Sequence, residues 1–179
     1  MLLGFEKTKE LLAKYDLPLS DSESVVSVDK ASVFAEKRGY PVVLKVFSPE
    51  ISHRTEKDLV RTNISNKEVL KESMEGLKKK AEEIDSSEIL IQKQEEGLEL
   101  VYGMKKDKTF GPVLMFGLGG IFVEALEGVS FGITPVSKEE ADKMVRDIKA
   151  VKVLKGFRNY SAVDLDKAAE LLVNLSDLV

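Results

Sequence analysis

The chain of 179 residues contains no cysteine and only one histidine, His53. Disulfides and a cysteine nucleophile are therefore excluded. One imidazole without thiolates also falls short of the donors a structural zinc site needs. No apolar run approaches the ~20 residues of a membrane-spanning helix, and Glu6 and Lys7 come too early for a secretory leader. The expectation is a cytoplasmic protein with no membrane partner, and the lack of cysteine fits a reducing compartment. Net positive charge is also absent. The 27 Lys and Arg are outnumbered by 31 Asp and Glu, for a net charge of −4. That balance gives no bulk attraction to nucleic acid, whose binding rests on neutralising phosphates. The cluster Lys78-Lys79-Lys80 reads as solvated helix surface.

What is present is 43% hydrophobic and 32% charged, enough apolar material for one core or two small lobes. Helical spacing of Phe5, Thr8, Leu12 and Tyr15, stopped by Asp16 and Pro18, predicts a short opening helix over residues 4–15. A strand over Val25–Val28 follows, then a helix over Ala31–Arg38 capped by Ser27 or Asp29 and ended by Gly39 and Pro41. Val42–Phe47, β-branched and aromatic, closes a β-α-β unit. A second unit follows. It has a strand over Leu59–Ile64, a capping box at Ser65 and Glu68, and a helix striped by Val69, Met74, Leu77, Ala81 and Ile84. Ile89–Gln92 is its closing strand.

Beyond Gly97 the texture turns to hairpins, with strands over Leu98–Met104, Val113–Phe116, Ile121–Leu126 and Phe131–Val136. Turns are expected at Lys106-Asp107-Lys108, Gly117-Leu118-Gly119-Gly120 and Glu127-Gly128. Ser137 and Glu140 form a capping box before a helix carrying Ala141, Met144, Val145 and Ile148. A loop over residues 150–162 leads to a last helix over Val163–Leu178. The expected domains are an N-terminal helix and lead-in (1–21), a small α+β lobe (22–94) and a second lobe (95–179). Two lobes joined near 94–97 would form a cleft, a common ligand site.

Lys45 interrupts an apolar strand, and an ammonium there needs an anion or an acceptor. A structural pair, a snorkelling side chain and a phosphate-binding lysine all satisfy that requirement. His53 follows Pro49 and precedes Arg54, Glu56, Lys57 and Asp58, a setting for a surface imidazole that can act as base, ligand or phosphoryl acceptor. Gly117, Gly119 and Gly120 allow backbone to approach phosphate oxygens closely, or simply make a hairpin. No Walker motif or dinucleotide fingerprint accompanies them. Glu124, alone in its strand, suits a Mg2+ that also takes nucleotide oxygens, or an ion pair across the sheet.

Taken together, GYPVVLKVFSPEISHRTE, ILIQKQEEGLELVYG, FGPVLMFGLGGIFVEALEGVSFGITPVS and LKGFR resemble the ATP-grasp domain of NDP-forming acyl-CoA synthetases, above all the beta subunit of the ADP-forming acetyl-CoA synthetases. The likeness runs in order from about residue 5 to 179. It implies a two-lobed α+β ATP-grasp fold with a nucleotide cleft between the lobes. The implied reaction is reversible: acyl-CoA, ADP and phosphate are exchanged for acid, CoA and ATP through an acyl phosphate and a phosphohistidine. ATP or ADP and Mg2+ are the implied ligands, and a CoA-binding alpha subunit is the implied partner in a hetero-oligomer. By the same resemblance Lys45 contacts nucleotide phosphates, and Gln92 and Lys93 begin the linker that faces adenine. Glu99 is a carboxylate near the nucleotide, Gly119 and Gly120 cradle it, and His53 receives the phosphoryl group. The motif positions also differ from the family. Asp58 and Leu59 replace two glycines, Gly128 and Gly132 stand where an aspartate and an arginine are expected, and no Glu-x-Asn-Pro metal motif occurs. A non-catalytic nucleotide-binding paralogue and the ATP-grasp part of a protein acetyltransferase are the rival expectations.

Overall fold

The computed structural model describes residues 3–48, 58–84, 87–120, 128–158 and 160–178. The chain divides into two compact units, the first comprising Met1–Ala13 with Pro18–Glu95 and the second Lys14–Leu17 with Glu96–Val179.

In the first unit the described elements run α1 (Phe5–Lys14), β1 (Ser22–Ser24), α2 (Val28–Arg38), β2 (Val42–Phe47), β3 (Val60–Ile64), α3 (Lys67–Ala81) and β4 (Glu88–Lys93). The sheet order is β1-β4-β2-β3, and every neighbouring pair is antiparallel. Each β-α-β segment is thus split, with β4 lying between β1 and β2 and with β2 lying between β3 and β4. Alternation decides the faces. Val42, Leu44 and Val46 of β2 with Ile89 and Ile91 of β4 are buried against Ala31, Phe34 and Ala35 of α2 and Leu70, Met74 and Leu77 of α3. Each fully buried side chain of this size contributes about 1.5–3 kcal/mol, so this face holds the unit together. Val43, Lys45 and Phe47 look the other way, where Phe5 of α1 meets Phe47 edge-on at 6.4 Å.

Two expectations shift here. The first strand lies over Ser22–Ser24 rather than Val25–Val28, because the ladder to β4 is made by Ser22 and Ser24 opposite Gln92 and Leu90. Val25 still donates its N–H to Ile89 at 2.8 Å and is buried, but Ser27 caps α2, so Val28 begins a helix. The cap of α3 is Asn66, whose side chain accepts from Val69 N at 2.9 Å, not Ser65. Asparagine caps as well as serine, and one residue further on its oxygen reaches the first free N–H. Leu70 rather than Val69 is then the buried residue of the first turn.

The second unit contains β5 (Leu100–Asp107), β6 (Gly111–Leu118) and β7 (Val129–Ile133), an antiparallel meander in that order. After it come α4 (Lys138–Arg146), the single turn α5 (Val151–Leu154) and α6 (Leu165–Asp177). Leu114, Phe116 and Leu118 of β6 pack on Ala141, Met144 and Val145 of α4 and on Ala168, Ala169 and Leu172 of α6. The capping box forms as read, with Ser137 and Glu140 bonded reciprocally at 3.2 and 2.9 Å. The first hairpin turns at 108–110, later than expected, because Asp107 Oδ1 accepts from the N–H of Thr109 and Phe110 at 2.8 and 3.0 Å. Those bonds hold its carboxyl below the usual range. Gly117 and Leu118 belong to β6, so only Gly119 and Gly120 lie beyond the strand. The loop expected over residues 150–162 contains α5. The strand expected over Ile121–Leu126 lies outside the described residues.

Candidate functional site

In the first unit Lys45 sits mid-strand on the face of the sheet away from α2 and α3. Its ammonium donates to Gln92 Oε1, and Gln92 Nε2 donates in turn to Ser20 Oγ. The register explains this meeting. Lys45 lies opposite Leu90 and Val43 opposite Gln92, so Lys45 and Gln92 are diagonal neighbours on one face, within reach of long side chains. Lys45 and Gln92, both expected at the nucleotide, are therefore brought together. Ser20, which carried no signal in the sequence, joins them.

Lys93, the next residue, points to the opposite face. Its Nζ donates to the carbonyls of Gly39 and Tyr40 at 3.0 and 3.1 Å, just past the C-terminus of α2, and its N–H donates to Asp21 O at 3.0 Å. A cation on the last carbonyls of a helix end is favourable in itself. In this structure the Lys93 side chain holds the turn that leads into β2.

Asp58 occupies the left-handed region with φ 54°, a conformation that glycine adopts freely and aspartate tolerates. Its carboxylate is bonded to Arg61 and Lys80, and these bonds bring its pKa down to about 2. Its own carbonyl accepts from the same two cations, at 3.1 Å each. Leu59 is buried in the helix-covered core. Both replacements for glycine thus fill structural places: the anion at 58 faces two cations of its own unit, and the side chain at 59 is core.

In the second unit Glu99, Gly119 and Gly120 converge. Gly119 donates its N–H to Glu99 O at 2.7 Å. A Cβ on Gly119 would lie 3.0 Å from Glu99 Cβ, and one on Gly120, at φ 58°, would lie 2.8 Å from Glu99 Oε2. Any side chain at Gly120 would displace the carboxylate, so the pair is built as backbone beside an acid. Gly132 faces Met144, whose Sδ would be 2.6 Å from a Cβ there. That space is taken by α4 rather than by the arginine expected at this position.

His53 and Glu124 lie outside the described residues. Among the described residues no group of three or more His, Cys, Asp or Glu is placed to hold a metal ion. Glu99 alone suits Mg2+ only as a single carboxylate added to phosphate and water oxygens, the usual way this ion binds nucleotides. Among the described residues no helix is long and apolar enough to cross a membrane.

The chain belongs to the ATP-grasp domain family, whose model matches residues 1–179, and within it to the ATP-grasp domains of ADP-forming acetyl-CoA synthetases. It is 36% identical over 177 residues to the beta subunit of acetate–CoA ligase (ADP-forming) I of Pyrococcus furiosus, an alignment covering 96% of this chain and 76% of that protein. It is 39% identical over 172 residues to acetate–CoA ligase (ADP-forming) I of Archaeoglobus fulgidus, covering 94% of this chain but 25% of that protein. The chain thus spans a quarter of the length of the second relative and three quarters of the first. Among solved structures it resembles the dinucleotide-forming acetyl-coenzyme A synthetase 1 of Ca. Korarchaeum cryptofilum in complex with coenzyme A, Ca-AMPCP and HgCl+. That match has a TM-score of 0.85 and 31% identity, and it covers 96% of this chain and 77% of the other. The same synthetase with coenzyme A and Mg-AMPPCP, its phosphohistidine segment pointing towards the nucleotide binding site, matches with a TM-score of 0.79 and 31% identity, covering 98% and 77%.

Proposed function

We propose that this chain is the nucleotide-handling component of an ADP-forming acyl-CoA synthetase, moving a phosphoryl group between ATP and a histidine of the relay. The observation that carries this reading is the ammonium of Lys45, fixed by Gln92 on the sheet face opposite α2 and α3. It is supported by family membership and by the nucleotide analogue and phosphohistidine segment of the Korarchaeum synthetase.

Transfer of a phosphoryl group asks the protein mainly for positive charge and donors around the moving oxygens. Lys45 supplies a fixed charge for the nucleotide phosphates. Glu99 with Gly119 and Gly120 supplies a carboxylate beside backbone that carries no side chain, and Gln92 and Lys93 set the end of β4. Mg2+, when bound, neutralises phosphate charge, and Glu124 and Glu99 are the carboxylates assigned to its surroundings. His53 is assigned as acceptor: a neutral ring nitrogen attacks the terminal phosphorus, the N–P bond forms, and the P–O bond to ADP breaks. A CoA-binding alpha subunit would complete the reaction in a hetero-oligomer, and the acyl pocket would lie in that partner.

A second reading, nucleotide binding without transfer, is favoured by Asp58 and Leu59, which fix by an ion pair and by core packing the two positions where glycines were expected. Calorimetric titration with Mg-ATP and Mg-ADP tests both. Binding by the wild type with loss of about tenfold or more in Lys45→Ala supports the nucleotide site, and no binding by the wild type overturns it. Incubation with Mg-ATP and the alpha subunit should give acid-labile phosphate on His53. Equal labelling of His53→Ala ends that assignment, and binding without any labelling supports the second reading.

A further inference from the structure

We infer that Ser20 is a positioning residue for Lys45, acting through the Gln92 carboxamide; this rests on the reading of Lys45 given above. An ammonium can only donate, so Lys45 selects the oxygen of the Gln92 amide and forces its NH2 end outward. That end meets Ser20 Oγ, which accepts from it. The serine is itself tied down. Its carbonyl accepts from Ser22 Oγ at 2.9 Å, Lys93 N donates to Asp21 O at 3.0 Å, and Ser22 pairs with Gln92 in the ladder. Lys45 on β2, Gln92 on β4 and Ser20 ahead of β1 therefore form one directional chain across three neighbouring strands.

The direction of that chain decides how Lys45 is held. If the amide turned over, its NH2 would face the ammonium, donor against donor, and the carbonyl would leave the cation. The ammonium sets the sense of the amide, and the Ser20 hydroxyl, accepting from the NH2, anchors the other end of the carboxamide before any nucleotide arrives. Without it, the partly buried NH2 loses its acceptor and the carboxamide is held at its oxygen end alone, so more of the ordering of Lys45 must be done at the moment of binding. No sequence pattern marks Ser20. It lies in the lead-in between α1 and β1, and its role follows only from the register that places Gln92 beside it.

The test is Mg-ADP affinity by calorimetry for the wild type, Ser20→Ala, Ser20→Thr, Lys45→Ala and the double variant Ser20→Ala/Lys45→Ala, each checked for an intact thermal transition. Ser20→Ala should weaken binding about three- to tenfold, the net worth of one hydrogen bond, and Ser20→Thr, which keeps the hydroxyl, should return to within about twofold. In the Lys45→Ala background, Ser20→Ala should cause no further loss, because the group it positions is gone. A loss of the same size in that background, a Ser20→Thr as weak as Ser20→Ala, or a Ser20→Ala indistinguishable from wild type while Lys45→Ala is impaired would each overturn the inference. If Lys45→Ala itself binds normally, the reading of Lys45 fails first, and the two failures are told apart.

Discussion

Asp58 and Arg61 form a two-point ion pair, with Nη1 at 2.5 Å from Oδ1 and Nη2 at 3.0 Å from Oδ2. Lys80 of α3 joins the same carboxylate. The pair sits at the start of β3, at a backbone position with φ 54°.

The consequence is readable by acid titration. Hydrogen bonds from Arg61 and then Lys80 lower the Asp58 pKa to about 2 in the folded chain, against about 3.9 when unfolded. Because the folded value is depressed, the contribution is fully present above pH ~4 and is lost as pH falls through the folded value. A carboxyl chemical-shift titration should show Asp58 with a midpoint about 2, moving towards the unfolded value in Arg61→Ala/Lys80→Ala. High salt should blunt the shift, since the group is exposed. An unshifted midpoint in the wild type would contradict the geometry.

Gly117 and Gly132 both face close neighbours, but of different kinds. A Cβ on Gly117 meets Gly128 O at 2.7 Å and Val129 Cγ1 at 2.8 Å, where backbone cannot yield without breaking the β6–β7 ladder. A Cβ on Gly132 meets the Sδ end of Met144, which can swing. Gly117→Ala is expected to cost about 1–3 kcal/mol in denaturant unfolding and Gly132→Ala distinctly less. Equal costs would show that the two sites yield alike.

Replacement of Lys93 should separate structure from binding. Lys93→Met keeps the aliphatic stem but removes the donors to Gly39 and Tyr40. A stability loss of about 1–3 kcal/mol is expected, as for hydrogen bonds involving a charged group. Mg-ADP affinity should fall less than in Lys45→Ala. The reverse order of the two effects would place the Lys93 amine at the nucleotide instead.

Tyr102 offers an alkaline counterpart to Asp58. Burial pushes its phenol up to about 12, and the ring stacks edge-on against Phe116 at 5.1 Å. Since the folded value lies above the unfolded one and the ionised form is the disfavoured one, stability is intact below pH ~10 and declines as pH rises through the unfolded value. Thermal melts should fall more steeply above that pH in the wild type than in Tyr102→Phe. Identical alkaline profiles would mean that the phenol titrates freely in the fold.

Much of this architecture was legible beforehand because its signals are local. The apolar runs gave β2 and β4, helical spacing gave the central stretches of α1, α3 and α6, the caps and the stop at Gly39 and Pro41 gave α2, and Ser137 with Glu140 announced the start of α4. Ordered motifs across the whole chain carried the family. Where sequence pattern and structure differ, two local signals compete. Ser65 and Asn66 are both good caps, and only the strand preceding them decides which oxygen meets the helix. Val25 and Val26 look like strand, yet the ladder to β4 falls on the serines before them.

The composition of this sequence by itself rules out disulfides and cysteine chemistry within it, and its periodicity marked most of the apolar side chains that are buried, Val69 excepted. Only the tertiary structure decided the partners of the charged groups: Gln92 and Ser20 with Lys45, the α2 turn with Lys93, Arg61 and Lys80 with Asp58, the glycine pair with Glu99. Burial is written into each residue's own chemistry and repeats every two or 3.6 positions. A long polar side chain finds its acceptor through strand register and helix placement, which bring together residues far apart in sequence and leave no periodic trace.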